Sequence, residues 1–214
     1  MSSLSIGIKG SAFLRSLVLN FFIVILCIIQ FPLPATAQMT MTPDEIKWLI
    51  YVREAEKMAR DLYLEMHNAW GLSIFKSTSG EEQEHVNAML ELYRTYSFPD
   101  PVPGDIPGNY SDQYITYLHT SLFNQGMRSS KDGLKACALQ EEINILDLDL
   151  AQKSTQKLAI RKVYSELQRD SINHLRSFAQ ILEGLGERYK AVKLPQQTVD
   201  AIILDKMDRG FMLR

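Results

Sequence analysis

The sequence has very little cysteine and almost no pattern typical of β-structure. Of its two cysteines, Cys27 and Cys137, only the second lies outside the N-terminal segment discussed below, so no internal disulfide can stabilise the rest of the chain. Sustained alternation of apolar and polar residues is missing, as is any Asn-Gly pair that would close a hairpin. We therefore expect an all-α protein stabilised by its apolar core, with Cys137 as a small buried residue of that core.

Long hydrophobic runs are also missing, except near the N-terminus. Residues 1–37 contain two cations, an apolar stretch over 17–29 and the sequence Ala-Thr-Ala at 35–37. This order is typical of a secretory signal peptide cleaved after Ala37. The alternative is a membrane anchor, but the unbroken apolar stretch is shorter than the ~20 residues that a spanning helix needs. We expect an exported protein, periplasmic or secreted, with no membrane partner after cleavage.

An excess of positive charge is absent too. Lys9 and Arg15 are the only charged residues of 1–37, so the remaining chain has 21 of the 23 Lys and Arg and all 25 Asp and Glu. A net charge of about −4 gives no reason to expect nucleic acid or an anionic surface as a partner.

What the sequence does contain is apolar residues recurring at spacings of three and four, which predict four long helices. The first begins with the capping box of Thr42 and Glu45 and ends at Gly71. The others are predicted over 73–96, which crosses Gly80 without a change of phase, and over 130–153 and 155–185. Shorter helices are predicted over 111–124 and 197–205.

The connections between these helices predict the topology. Very short turns join the first helix to the second and the third to the fourth, so each pair forms an antiparallel hairpin. The proline-rich residues 98–108 and the short helix after them form a long crossover between the hairpins. The sequence thus predicts a ferritin-like antiparallel four-helix bundle over 38–185, after the signal peptide of 1–37 and before a C-terminal extension over 186–214.

Five residues that bind metals well fall on the core-facing seams of the four long helices: Glu56, Glu82, His85, Glu141 and His174. A carboxylate in a helix-bundle core is costly unless it is paired, protonated or bound to a cation. At ~1.5 Å of rise per residue, all five lie at a similar depth in the two hairpins. We therefore expect one common site, although Glu142 would replace Glu141 if the phase were shifted by one residue.

The pattern of these residues indicates a pair of metal ions. A Glu from each of two helices and Glu-x-x-His from each of the other two is the design of di-iron and di-manganese carboxylate proteins. Here Glu82-x-x-His85 fits that design, but Ser171 stands where the second Glu-x-x-His would have its Glu. Two iron ions are the cofactor that we expect, with manganese or zinc as alternatives; paired cysteines for a structural zinc site are absent. A single bound ion is a further alternative, because the site has five of the six expected ligands.

Other polar residues are expected either beside the ligands or away from them. Asn144 and Asn173 could orient the ligands, and Arg60, Asp61 and Arg176 could form pairs near them. The alternative for each is a solvated residue or an interhelical salt bridge. The acidic residues expected on a flank or in solvent are Glu54, Glu81, Glu84 and Glu142. We interpret His67 and His119 as structural, because neither has a carboxylate at ligand spacing.

At these residues the chain resembles a ferritin-like bacterial and archaeal family catalogued as domain of unknown function 2202. Four motifs carry the resemblance over residues 42–185: Arg53–Tyr63, Glu82–His85, Glu141–Leu148 and Ser171–Phe178. The resemblance implies a ferritin-like bundle with a metal site, but it implies no particular reaction. Ala55 and Asn144 stand where the family usually has Glu and Asp, which would weaken the site if those carboxylates are ligands elsewhere.

Two functions remain open from the sequence. The first is an exported di-metal protein that reacts with Fe(II), oxygen or peroxide, with the five residues as ligands and no separate catalytic acid or base. The second is a non-catalytic bundle that stores or senses metal, or binds a protein through its acidic face, with Ser171 marking a degenerate site. A homodimer is compatible with both.

Overall fold

The computed structural model describes residues 41–102 and 105–205, and within these ranges the chain is all-α, as predicted. The six helices are α1 (Pro43–Trp70), α2 (Ser73–Thr95), α3 (Gln113–Gly126), α4 (Ser130–Lys153), α5 (Leu158–Gly184) and α6 (Gln196–Leu204). No strand occurs in these ranges. The predicted signal peptide lies outside the described residues. None of the helices in the described part of the chain has the length and apolar character needed to cross a membrane.

The ends of α1 are formed by the capping residues predicted from the sequence. The Thr42 hydroxyl accepts the Glu45 N–H at 3.2 Å, and the Glu45 carboxylate accepts the Thr42 N–H at 2.8 Å. Gly71 ends the helix with φ 71°, a conformation that glycine adopts without strain. The predicted limits of this helix are confirmed.

The other predicted helices are also present, with small differences at their ends. Helix α2 continues through Gly80 without a break. Helix α5 begins at Leu158 rather than at Thr155, because the Thr155 hydroxyl bonds to the Glu45 carboxylate and accepts the Lys157 N–H at 3.1 Å. Thr155 therefore belongs to the turn and not to the helix.

The two long hairpins are antiparallel, as contacts along their helices show. From one end of α1 to the other, Leu49, Glu56 and Arg60 contact Tyr93, His85 and Ser79 of α2 in that order. In the second hairpin, Ile145 contacts Gln168, and Glu141 contacts His174.

The hairpins also pack against each other through α1 with α4 and through α2 with α5. Tyr51 and Tyr63 of α1 donate hydrogen bonds to Asp147 and Glu141 of α4, each at 2.6 Å, so these two helices run in opposite directions. Helices α3 and α6 are peripheral: α3 packs on α1 and α4, and α6 packs on α5.

The buried apolar residues form two separate clusters. On α1 the change from one cluster to the other falls between Val52 and Ala55, and on α5 between Leu167 and Leu175. On α2 it falls between Phe75 and Met89, and on α4 between Ile145 and Leu148. The five predicted ligands lie within these intervals or within about one turn of them, so a polar layer lies at the boundary of the two apolar clusters.

The segment between α2 and α3 covers the polar face of α1, and every residue from Val52 to Tyr63 is buried. Within the described part of this segment, Arg53 bonds to Asp100 at 2.7 Å and Lys57 bonds to the Ile106 carbonyl at 2.7 Å. This arrangement explains why a buried helix carries so many charged side chains: the segment supplies their partners.

Two carboxylates that we expected on a flank or in solvent are instead fully buried. Glu54 accepts the backbone N–H groups of Ser111 and Asp112 at the start of α3. Glu142 accepts the Tyr189 hydroxyl at 2.6 Å and the N–H groups of residues 192–194. The prediction for both residues is wrong, because segments distant in sequence fold over them and satisfy their charge.

Candidate metal centre

The five residues predicted as ligands meet at one level between the four long helices. Their exposed fractions range from 0% for Glu82 and Glu141 to 7% for His85. They form two groups, Glu56 with Glu82 and His85, and Glu82 with Glu141 and His174. Within each group one potential ligand atom per residue lies within 4.8 Å of the others. Glu82 belongs to both groups.

The two groups have similar geometry. His85 Nδ1 lies 2.8 Å from Glu82 Oε2 and 3.0 Å from Glu56 Oε2. His174 Nδ1 lies 3.0 Å from Glu82 Oε1 and 3.2 Å from Glu141 Oε1. Each oxygen of Glu82 therefore faces a different histidine, and each histidine faces two carboxylates.

The outer nitrogens of the histidines contact two further carboxylates. His174 Nε2 lies 2.8 Å from Glu81 Oε2, and His85 Nε2 lies 3.5 Å from Asp170 Oδ2. The contacts are crossed, since each carboxylate serves the histidine of the neighbouring helix. A carboxylate at Nε2 keeps the proton there and leaves the Nδ1 lone pair free for a cation.

These two residues were not recognised from the sequence. Glu81 is exposed, as expected of a flank residue, but its contact with His174 was not predicted, and Asp170 was not considered. A signal was present, because an acidic residue directly precedes both Glu82 and Ser171. The three-and-four spacing of core-facing residues does not predict these contacts, since adjacent residues on a helix point in different directions.

Tyr63 adds a hydrogen bond to the second group. Its hydroxyl donates to Glu141 Oε1 at 2.6 Å, and both side chains are fully buried. Burial and the charges of Glu141 and Glu82 raise the pKa of Tyr63 well above its ordinary value, so the phenol remains a donor. The spacing of residues along α1 does not reveal this hydrogen bond.

The buried carboxyl groups of the layer differ strongly in pKa. Burial and the neighbouring charge of Glu82 raise the pKa of Glu56 to about 8. Burial likewise raises the pKa of Glu141, whereas the two histidines overcome the effect of burial at Glu82 and hold its pKa below the ordinary value. The pKa values of His85 and His174 are raised despite burial, chiefly by the carboxylates.

The donor set fits a metal ion. Two buried polar atoms in this region, Glu141 Oε2 and Ser171 Oγ, make no hydrogen bond within the described residues, and such atoms are rare in folded proteins. Carboxylate oxygens and imidazole nitrogens together suit iron, manganese or zinc. A cation could replace the shared protons of the layer and satisfy the oxygens that lack a donor.

Ser171 lies on the ligand side of α5, as predicted. It is fully buried and stands one helical turn before His174.

The hydrogen bonds of the expected supporting residues go to partners other than the five candidate ligands. Asp61 accepts hydrogen bonds from Lys57 and Arg60, and Gly108 and Tyr110 of the segment between α2 and α3 also donate to it. Asn144 accepts a bond from Gln140, and Arg176 bonds to the Ile202 carbonyl. The expectation that these residues act beside the ligands stays a prediction.

The two remaining histidines differ from each other. His67 Nδ1 contacts the Leu72 carbonyl at 3.1 Å, which fits the predicted structural role. His119 Nε2 lies 3.0 Å from Glu65 Oε2, an ion-pair contact that is compatible with the predicted structural role. That partner comes from α1, which spacing along α3 cannot reveal.

Comparison with known proteins places this chain in a family. The family model described as an uncharacterized protein domain, DUF2202, matches residues 45–206. The chain belongs to the DUF2202 family. The resemblance inferred from the four motifs is thereby confirmed at the level of the family, and all five candidate ligands lie within the matched residues.

One relative and one solved structure extend the comparison. The uncharacterized protein MJ0754 of Methanocaldococcus jannaschii is 35% identical over 170 residues, which cover 79% of this chain and 92% of the relative. A crystal structure of hypothetical protein MJ0754 from Methanococcus jannaschii superimposes with a TM-score of 0.76 at 34% identity. The superposition covers 79% of this chain and 97% of that chain.

Proposed function

We propose that this protein is an exported ferritin-like metal-binding protein whose Glu and His layer holds two ions, with iron as the favoured metal. In this proposal the centre reacts with Fe(II), oxygen or peroxide.

The packing of the helices supports a ferritin-like four-helix bundle. The pairs α1–α2, α2–α5, α5–α4 and α4–α1 close a ring in which the contacts indicate antiparallel neighbours. Helices α2 and α4 therefore run in the same direction, and the chain must return along the bundle between Thr95 and Ser130. One long connection between two hairpins is the ferritin-like arrangement.

The observation that carries the metal proposal is the position of Glu82. Its two oxygens face different histidines, so it would contact both ions. Glu56 and His85 would complete one position, and Glu141 and His174 the other. A pair of iron ions would supply the one-electron chemistry that dioxygen and peroxide require.

The protein's own residues prepare the centre for such chemistry. Glu81 and Asp170 hold the Nε2 protons of the histidines, and Tyr63 donates to Glu141. The apolar clusters on both sides of the layer exclude water, which strengthens electrostatic interactions within it.

The test is the metal content and oxygen consumption of the purified protein after anaerobic loading with Fe(II). We expect about two irons per chain and rapid oxygen uptake on exposure to air. Glu82→Ala should abolish binding at both positions, whereas Glu84→Ala is the matched control, since Glu84 is exposed on the same helix. Substoichiometric iron in the wild-type protein would overturn the proposal.

A second function is favoured by a single observation, the serine at position 171. A centre with one carboxylate fewer is suited to metal storage or sensing without catalysis, or to a bundle that binds a protein partner. Two bound ions without oxygen uptake would support storage or sensing. A stable protein with no metal affinity would support the partner-binding bundle.

A further inference from the structure

We propose that Ser171 opens this centre to a small monoanionic oxyanion of the size of formate or acetate, which takes the place of a fourth carboxylate. The inference rests on the proposed metal pair and adds a class of ligand to it.

Helices α2 and α5 present matching positions to the layer. On each helix an acidic residue is followed by position 82 or 171 and, one turn later, by a histidine. The acidic residues Glu81 and Asp170 make the same crossed contact with the opposite histidine. Ser171 therefore stands on α5 where Glu82 stands on α2.

Buried polar atoms beside position 171 favour the binding of a polar ligand there. Ser171 is fully buried and its hydroxyl has no hydrogen-bond partner, nor has Glu141 Oε2 on the adjacent helix. Buried polar atoms are nearly always satisfied, so these two lack a ligand that the protein does not supply. A glutamate at this position would end in a carboxylate-bearing group about as large as acetate. Serine lacks this group.

The charge of the centre points to an anion. Two divalent ions would bring four positive charges, whereas the buried carboxylates of the two groups, Glu56, Glu82 and Glu141, supply three negative ones. The carboxylates at the outer histidine nitrogens, Glu81 and Asp170, are 61% and 33% exposed, so solvent screens their charge. Histidine binds a metal ion as the neutral imidazole and adds no negative charge. One positive charge would remain in a buried layer, and a monoanion would neutralise it.

The experiment measures the affinity of the metal-free protein for Mn(II) by calorimetry in chloride, formate, acetate or benzoate at equal ionic strength. We expect formate and acetate to raise the apparent affinity about tenfold by linkage, and chloride and benzoate to leave it low. Ser171→Glu should bind Mn(II) tightly in all four buffers. Ser171→Ala, which removes only the hydroxyl, should keep the dependence on formate.

The possible failures are distinguishable. If the wild-type protein binds no Mn(II) in any buffer, the metal centre itself is refuted, and this inference with it. Equal binding of two ions in all four buffers would overturn the oxyanion site alone. Should Ser171→Glu not fold, the decisive measurement is line broadening of ¹³C-formate by the Mn(II)-loaded wild-type protein. Broadening that acetate reverses supports the site, and its absence overturns it.

Discussion

Among the individual residues, Glu82 and Glu56 illustrate how one buried layer gives two carboxyls opposite properties. Glu82 is held ionised by the histidines on either side of it. The pKa of Glu56 is raised to about 8, so at neutral pH in the absence of metal this carboxyl is mainly protonated. The same substitution by glutamine should therefore affect the two positions differently.

In the metal-free protein at pH 7, Glu82→Gln should lower the free energy of unfolding by about 3 kcal/mol, because it leaves two buried imidazolium groups without their shared carboxylate. Glu56→Gln replaces a neutral group by a neutral group and should cost less than about 1 kcal/mol. Urea denaturation in the presence of a chelator measures both changes. A larger loss for Glu56→Gln would contradict this assignment of charge.

The carboxylates of the crossed contacts, the exposed Glu81 and the half-buried Asp170, provide a second prediction at this scale. Glu81→Ala should weaken metal binding by about 10- to 100-fold, since His174 would lose the group that fixes its Nε2 proton. Glu81→Gln retains a hydrogen-bond acceptor and should recover part of the affinity. The comparison is made by metal titration, with Glu84→Ala as the control, and an unchanged affinity in Glu81→Ala would refute the positioning role.

At the scale of the helix, Gly80 lowers the stability of α2. Gly80 lies inside the helix, is exposed, and would place an added Cβ in open space with no atom within 4 Å. Gly80→Ala should therefore stabilise the protein by about 1 kcal/mol, because alanine loses less backbone entropy. The melting temperature should rise by about 3 °C. A fall would show that this turn of α2 is not regular helix in solution.

The helices and the level at which the five candidate ligands meet were largely predictable from the sequence because both depend on local rules. Thr42, Glu45 and Gly71 mark the ends of α1 through hydrogen bonds within a few residues. The inward positions of Glu56 and His174 follow from a spacing of three and four. The roles of Glu54 and Glu142 were not predictable, because their partners lie about 50 residues away or more along the chain.

At the scale of the whole molecule, Glu45 joins the start of the first hairpin to the turn of the second. Its carboxylate accepts bonds from Thr155 and Lys157 as well as from its own cap. Burial opposes ionisation, but these bonds outweigh it and lower the pKa of Glu45 to about 2. The ionised carboxylate is thus bound more favourably in the folded protein than in the unfolded chain.

A lowered pKa gives a stability contribution that is complete above about pH 4.5 and is lost as the pH falls towards 2. Wild type should therefore exceed Glu45→Gln in unfolding free energy at pH 7, and the difference should shrink between pH 4.5 and pH 2. Denaturation curves at several pH values measure it, with Asp44→Asn, an exposed carboxyl of the same turn, as the control. A difference independent of pH would exclude the ionic contribution.

The polar layer between the two apolar clusters also acts on folding before any ion binds. An apolar seam alone tolerates the sliding of one helix along another by a turn, since similar side chains then meet again. Sliding α2 by one turn would move Glu82 and His85 away from Glu56 and His174 and into hydrocarbon. The same residues that are suited to holding a metal therefore mark the one alignment in which the four long helices match.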